Sequence, residues 1–242
     1  MRKGFRQDGA TLIELLVSIV ISLIIVSAML GMYVTTTANS SELLKSSKLN
    51  QELSSLMTVM TNDIRRAGIN GTALADPAAN IFWQSGETLL IVTNANACIL
   101  YSYDADLDGS LDIDLNGDGT PDAYELYGFR QNGNLVEMLE FGASDTHNNA
   151  CADGTGSWKQ LTDADNVKVT DLRFVLTADD TNCINRDDPA TACSSAASGQ
   201  TLVQTQMVTI ELEGELSSDS SVRHTFEPTT VRVRNDRVEL AP

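Results

Sequence analysis

The chain has 242 residues and a formal net charge of −17, from 33 acidic and 16 basic residues. This balance excludes nucleic acid as a partner, because a phosphate backbone is bound by clustered Lys and Arg residues that the sequence lacks. A hydrophobic content of 42% in a chain of this length is enough for one membrane helix and one globular domain.

The first predicted element is a membrane-spanning helix. The run from Leu15 to Ser41 contains neither a charged residue nor a proline, and it exceeds the roughly 20 apolar residues that a helix needs to cross a bilayer core. Glu14 lies at the front of this run. Because a carboxylate at membrane depth costs about 2.5–3.5 kcal/mol, we expect Glu14 to have a partner. Gly31 is a predicted weak point, since glycine costs about 1 kcal/mol relative to alanine in a helix interior.

Gly9 distinguishes this segment from a secretory signal peptide. A signal peptide is cut after its apolar region, whereas Gly9 precedes the apolar run and follows a basic segment, so cutting there leaves the helix on the mature protein. The stretch from Gly9 to Val17 reads G-A-T-L-I-E-L-L-V. It resembles the G-F-T-L-I-E-L-L-V signature of type IV prepilins and type II secretion pseudopilins.

The resemblance implies roles for three residues. Gly9 is the last leader residue before the cut made by the prepilin peptidase, Ala10 is the methylated new N-terminus, and Glu14 contacts the N-terminus of a neighbouring pilin subunit during assembly. Two positions depart from the family pattern: Ala10 replaces the phenylalanine usual in major pilins, and Asp8 places an acid in a normally basic leader. The alternative is an ordinary membrane anchor in which Glu14 is incidental.

An apolar stripe predicts that the helix continues beyond the membrane segment. Its members recur at steps of three and four, which is one face of an α-helix: Leu49, Leu53, Leu56, Met57, Met60, Ile64 and Ala67. Arg65 and Arg66, followed by Gly68, are typical of a helix C-terminus, so the predicted helix ends at Ala67.

The segments after Gly68 are rich in β-branched and aromatic residues, which predicts strands at 81–83, 88–93, 99–103, 124–129, 135–141, 167–176, 202–212 and 222–233. The sequence Q-N-G-N at 131–134 predicts a hairpin turn. The predicted fold class is α+β, with an antiparallel sheet packed on the amphipathic half of the helix, as in type IV pilins. The predicted domains are a leader (1–9), the helix (10–67) and an extracytoplasmic β-rich domain (68–242).

Two further segments carry a resemblance to minor pilins. Residues 62–71, N-D-I-R-R-A-G-I-N-G, resemble the helix exit of PilW-type minor pilins, and residues 229–235, T-T-V-R-V-R-N, resemble their closing strand. Pseudopilins of the J kind share a similar helix exit and last strand. These segments therefore favour a PilW-type protein without excluding a pseudopilin.

The four cysteines predict two disulfides formed in an oxidising compartment. None lies in a C-x-x-C pair, so neither a zinc site nor a thioredoxin-like redox site is indicated. Cys183 with Cys193 would close a short loop, which leaves Cys98 with Cys151, although spacing alone does not fix the connectivity.

An acidic loop at 104–125 has the spacing of a calcium site. In such loops side-chain oxygens at positions one, three and five converge, and glycine at position six permits the sharp turn. The stretch 114–125 fits all twelve positions, with the predicted ligands Asp114, Asn116, Asp118, Thr120 (through its carbonyl), Asp122 and the closing Glu125.

A second, incomplete copy of this pattern begins earlier in the chain, at Asp104, Asp106 and Asp108, followed by Gly109. We call the stretch from Asp104 the first acidic repeat and 114–125 the second acidic repeat. Leu115 stands where its closing glutamate would be, so this copy binds weakly, borrows Asp112 or Asp114, or is empty. Calcium is the predicted ion, since magnesium prefers few carboxylates and retained waters. The alternative is a solvated acidic loop that binds no metal.

The sequence gives no sign of an enzyme. Its two histidines, His147 and His224, lie in polar sequence with no catalytic motif around them. A twelve-position loop closes around its ion, whereas catalytic metals keep an open position.

The predicted function is therefore a structural one. The chain is interpreted as a minor pilin in the initiation or tip complex of a type IV pilus, held in the inner membrane before assembly and then in the periplasm and the cell-surface pilus. The alternatives are a J-like minor pseudopilin of a type II secretion system and a membrane-tethered calcium-dependent adhesin. The prepilin motif argues against the adhesin.

Overall fold

The structure, a computed structural model, describes residues 11–71, 82, 90–93, 95–113, 123–142, 151, 156–177 and 183–242. The chain divides into two compact units, one ending at Ser47 and the other beginning at Lys48. Helix α1, Leu12–Ile64, contributes residues to both units. The predicted long helix is thus confirmed, and it continues without interruption through Gly31.

In the first unit, α1 exposes its apolar side chains. Large hydrophobic residues from Leu12 to Val34 are solvent-exposed, and the helix is long and apolar enough to cross a membrane. Its serines are compatible with lipid, because the hydroxyls of Ser18, Ser22 and Ser27 each donate a hydrogen bond to the carbonyl four residues earlier.

In the second unit, the other part of α1 buries the predicted stripe: Leu49, Leu53, Leu56, Met57, Met60 and Ile64. The helix ends at Ile64, three residues before the predicted end. The N–H groups of Arg66 and Ala67 donate to the carbonyls of Asp63 and Ile64, which is i to i−3 bonding, and Gly68 then adopts a φ of 75°. A tight turn closed by a left-handed glycine therefore replaces the predicted last helical turn.

Fourteen strands lie within the described residues: β1 Leu90–Thr93, β2 Cys98–Ser102, β3 Asp112–Ile113, β4 Ala123–Tyr124, β5 Leu126–Asn132, β6 Leu135–Gly142, β7 Gly156–Gln160, β8 Val167–Thr177, β9 Cys183–Asn185, β10 Thr201–Gln204, β11 Met207–Leu216, β12 Asp219–Thr225, β13 Thr229–Arg232 and β14 Arg237–Leu240. All their pairings are antiparallel. The α+β prediction is confirmed.

The strands form three sheets, so the prediction of one sheet was wrong. Strands β1 to β7 form the first, β8 with β11, β12 and β13 the second, and β9, β10 and β14 the third. The predicted strand 202–212 is divided between β10 and β11, and 222–233 between β12 and β13. Of the predicted strand 81–83, the structure describes only Phe82, which is buried and lies outside any strand.

The main core lies between the helical stripe and the first two sheets. Side chains of α1 pack with Ile99 and Phe129 from the first sheet and with Phe174 and Ile210 from the second, and all four are fully buried. A smaller cluster on the other side of the first sheet contains Cys98 with Leu100, Leu126 and Leu139.

Candidate functional site

The N-terminal motif lies partly outside the described residues, which exclude Gly9 and Ala10. Thr11 precedes the first helical residue, and its Oγ1 accepts a hydrogen bond from the backbone N–H of Glu14 at 3.4 Å. Glu14 lies in the first turn of α1 with its side chain exposed. Its carboxylate is therefore accessible to a group on another molecule.

The end of α1 is surrounded by aromatic side chains. The carboxylate of Asp63 accepts hydrogen bonds from the hydroxyls of Tyr101 and Tyr103, the second at 3.3 Å. The guanidinium of Arg66 lies 3.9 Å from the ring centre of Tyr103, which stacks on Tyr127 at 4.1 Å. Burial, together with the charge of Asp63, raises the pKa of Tyr101 and Tyr103 well above the usual value, so both hydroxyls are hydrogen-bond donors at neutral pH.

The two segments that resemble PilW-type pilins contact each other. The backbone N–H of Arg234 donates to the carbonyl of Arg65 at 3.1 Å, and the Asn235 side chain donates to the carbonyl of Ala67 at 3.1 Å. The N–H of Gly68 in turn donates to the carbonyl of Ser102 at 2.8 Å. Carbonyls that a helix end leaves without an internal partner are therefore satisfied by the closing segment of the chain.

Asp104 follows β2 and joins the acidic loop to the chain that leaves α1. Its N–H donates to the carbonyl of Ile69 at 3.0 Å, and its Oδ2 accepts from the N–H groups of Gly71 at 2.7 Å and Gly109 at 3.0 Å. The residue is only 2% exposed, and its other oxygen, Oδ1, is buried with no donor in the part of the chain that the structure describes.

Asp106 and Asp108 are exposed. One carboxylate oxygen from each of them and one from Asp104 lie within 4.8 Å of one another. Asp108 accepts two bonds of 2.7 Å from Ser110, from its hydroxyl and its N–H, and these lower the pKa of Asp108. Desolvation raises the pKa of Asp106. Gly109 has a φ of 82°, as the sixth position of a calcium loop requires.

Glu125 lies beside this same group of aspartates. Its Oε1 accepts a hydrogen bond from the N–H of Ala105, and the residue is only 1% exposed. Its Oε2 is buried, and no described residue donates to it. Burial, assisted by the charges of Asp104 and Asp106, raises the pKa of Glu125 to about 7. The contact with Ala105 thus brings a fourth carboxylate next to the loop that carries the three aspartates.

This placement differs from the sequence assignment, in which Glu125 closes the loop 114–125. The other side-chain and carbonyl ligands predicted for that loop, Asp114, Asn116, Asp118, Thr120 and Asp122, lie outside the described residues. Asp112 is described only as a backbone position in β3. Sequence spacing did not predict that Glu125 lies near Asp104, because strand pairing, and not one short loop, brings the two residues together.

The structure also describes the four cysteines and one of the two histidines. Cys98 is bonded to Cys151, and Cys183 to Cys193, so both predicted disulfides are confirmed. His224 lies in β12 with its ring edge-on to Phe226, 4.7 Å between centres. The other histidine, His147, lies outside the described residues.

Comparison with known proteins identifies the chain at the level of family. The model of the prokaryotic N-terminal methylation motif matches residues 4–30, which include Gly9 and Glu14. The model described as prepilin peptidase-dependent protein B matches residues 42–233. Searches of curated proteins and of solved structures gave no match. The chain belongs to the prepilin peptidase-dependent protein B family and is a type IV prepilin-like protein.

Proposed function

We propose that this protein is a minor pilin that enters the initiation or tip complex of a type IV pilus. The observation that carries the proposal is the combination of the prepilin motif with the apolar, exposed first part of α1. Such a surface is stable only against lipid or other helices. Lipid would cover it before assembly, and the helices of other subunits would cover it in the pilus.

The proposed pathway begins in the inner membrane. The prepilin peptidase cuts after Gly9, and Ala10 becomes a positively charged, methylated N-terminus. The exposed carboxylate of Glu14 then pairs with the N-terminal ammonium of a neighbouring subunit, in apolar surroundings where the attraction between opposite charges is stronger than in water. Assembly therefore removes the cost of holding Glu14 alone in the bilayer.

A second candidate is a minor pseudopilin of a type II secretion system. It is favoured by the helix exit at 62–71, which also resembles J-type pseudopilins. The two functions are separated by a deletion of the gene: loss of surface pili supports the minor pilin, whereas loss of protein secretion with pili intact supports the pseudopilin. An adhesin that never polymerises would change neither property.

Processing is tested by mass spectrometry of the membrane-extracted protein. We expect an N-terminus at Ala10 carrying a methyl group, and we expect Gly9→Val to retain the leader, because the peptidase then meets a branched side chain at the cut. Detection of an intact leader on the wild-type chain, in cells that contain the peptidase, would contradict the assignment of Gly9.

Assembly is tested with Glu14→Gln, which keeps the size of the side chain and removes its charge. We expect normal membrane insertion but loss of the protein from sheared pili, together with the piliation defect of the deletion strain. Glu42→Gln is the matched control, since Glu42 is an exposed acid of the same helix beyond the apolar run, and it should assemble as wild type. Wild-type piliation with Glu14→Gln would refute the proposed pairing.

A further inference from the structure

We propose that Asp104, Asp106, Asp108 and Glu125 bind one calcium ion, which fastens the acidic loop to the chain leaving helix α1. This site differs from the twelve-position loop that the sequence predicts, because Glu125 acts as the closing ligand of the first acidic repeat. It does not depend on the protein being a pilin.

The first argument is the presence of two buried oxygens without donors. Oδ1 of Asp104 and Oε2 of Glu125 have no hydrogen-bond partner among the described residues, and the two residues are 2% and 1% exposed. A buried polar atom without a partner costs about 1–3 kcal/mol, more when it is charged. Since the other oxygen of each carboxylate is held by backbone N–H groups, these two oxygens are held in place and available to a cation.

The second argument is the nature of the donors. Within the described part of the chain, the cluster offers carboxylate oxygens and neither histidine nitrogen nor cysteine sulfur, which suits a hard cation rather than zinc. Asp106 and Asp108 are exposed, so water can complete the six to eight oxygen ligands that calcium takes. Four carboxylates are more than magnesium usually accepts, because it keeps several of its waters.

The third argument links the ion to the end of α1. Asp104 is held by Ile69 and Gly71, which follow the helix directly. A Cβ added at Gly71 would lie 2.6 Å from the backbone of Leu107, so the loop packs directly on this glycine. Leu107 itself has a φ of 67°, a left-handed conformation that is uncommon for residues other than glycine. Binding of the cation at Asp104 would therefore restrain residues 69–71 as well as the loop.

Calcium binding is tested by isothermal titration of the full-length protein in detergent micelles. We expect one site with a dissociation constant of about 10⁻⁴ to 10⁻³ M, as in other extracellular modules, and weaker binding of magnesium. Asp106→Asn and Asp108→Asn should each weaken calcium binding by about tenfold or more, since each removes a charged ligand. Both residues are exposed, so the variants should fold.

The discriminating variant is Asp118→Asn, which removes an equal charge from the second acidic repeat and, on this proposal, should weaken calcium binding far less than Asp106→Asn does. Hydrogen exchange localises the ion: calcium should slow exchange at residues 69–71 in the wild type and in Asp118→Asn, but not in Asp106→Asn. The proposal is overturned if wild-type protein gives no heat with calcium, or if Asp118→Asn abolishes the protection and Asp106→Asn retains it.

Discussion

Asp63 accepts hydrogen bonds from two tyrosine hydroxyls at the point where α1 ends, and Tyr101 is completely buried. If the carboxylate is removed, the Tyr101 hydroxyl loses its acceptor in a place that water does not reach. The guanidinium of Arg66 also loses its neighbour at 3.5 Å. The effect of a single substitution here should therefore exceed that of a surface charge.

We accordingly expect Asp63→Ala to lower the free energy of unfolding by about 1–3 kcal/mol. Asp63→Asn, which keeps one acceptor oxygen, should lose less. Asp171→Ala is the control, because Asp171 pairs with Arg173 at the surface and its loss should change stability by about 0.5 kcal/mol or less. Urea denaturation of the three variants measures these differences. Equal losses for Asp63→Ala and Asp171→Ala would show that the tyrosine contacts contribute nothing.

The surroundings of Asp63 could be predicted from the sequence only in part. The segment 62–71 is recognisable as a helix exit from its sequence, and its position was predicted within three residues. The hydrogen bonds of Asp63 were not predictable, because its partners Tyr101 and Tyr103 lie 38 and 40 residues further along the chain. Similarly, the spacing of Asp104, Asp106 and Asp108 predicts converging oxygens, whereas the fourth carboxylate depends on tertiary structure.

At the scale of elements, a small hairpin explains why Glu125 reaches the first acidic repeat. Strand β3 pairs with β4, and the N–H of Glu125 then donates to the carbonyl of Leu111 at 2.8 Å. This pairing brings Glu125 back beside Leu111, which lies within the first acidic repeat. Sequence spacing counts residues along the chain, so it could not detect a ligand that a two-residue ladder brings back.

Strands were predicted best where they are buried in a regular pattern. β11 alternates between buried and half-buried positions along its whole length, and β8 pairs with it throughout, so both carry a clear hydrophobic signal. The strands that were missed, β3, β7, β9 and β14, have only two to five residues. Their strand geometry comes from neighbours that offer unpaired backbone groups, which a local pattern does not contain.

The two disulfides should differ in their contribution to stability. In the chain-entropy model, a cross-link across 53 residues contributes about 4 kcal/mol and one across 10 residues about 3 kcal/mol. Cys98 is also fully buried in the smaller core cluster, whereas Cys193 lies in an exposed 3-10 turn. Replacing Cys98 and Cys151 by alanine should therefore lower the melting temperature more than the same change at Cys183 and Cys193. A larger loss from the second pair in differential scanning calorimetry would contradict this order.

At the scale of the whole molecule, the division at Lys48 predicts which part of the chain folds by itself. The sequence predicts a β-rich domain beginning at residue 68, yet the second compact unit includes the helical stripe that forms one side of its core. We expect a chain of residues 48–242, with both disulfides formed, to be soluble and to unfold cooperatively.

A chain of residues 68–242 should fail the same test, because it lacks the buried side chains of α1 and leaves the inner faces of two sheets exposed. Circular dichroism in the near ultraviolet and a thermal scan distinguish the two fragments. If the shorter fragment has a sharp transition at the temperature of the longer one, the helix is not part of the core in solution.

The contact between the end of α1 and the closing segment also sets an order of events during synthesis. Asn235 and Ala67 are separated by 168 residues, which a ribosome adds in roughly 10–30 s at about 5–20 residues per second. During that interval the Ala67 carbonyl lacks its Asn235 donor, and the apolar stripe of α1 lacks its last sheet partners, Val231 and Val233. A stop codon in place of Asn235 would therefore damage the protein at the junction where its helix ends, although the lost residues belong to the other end of the chain.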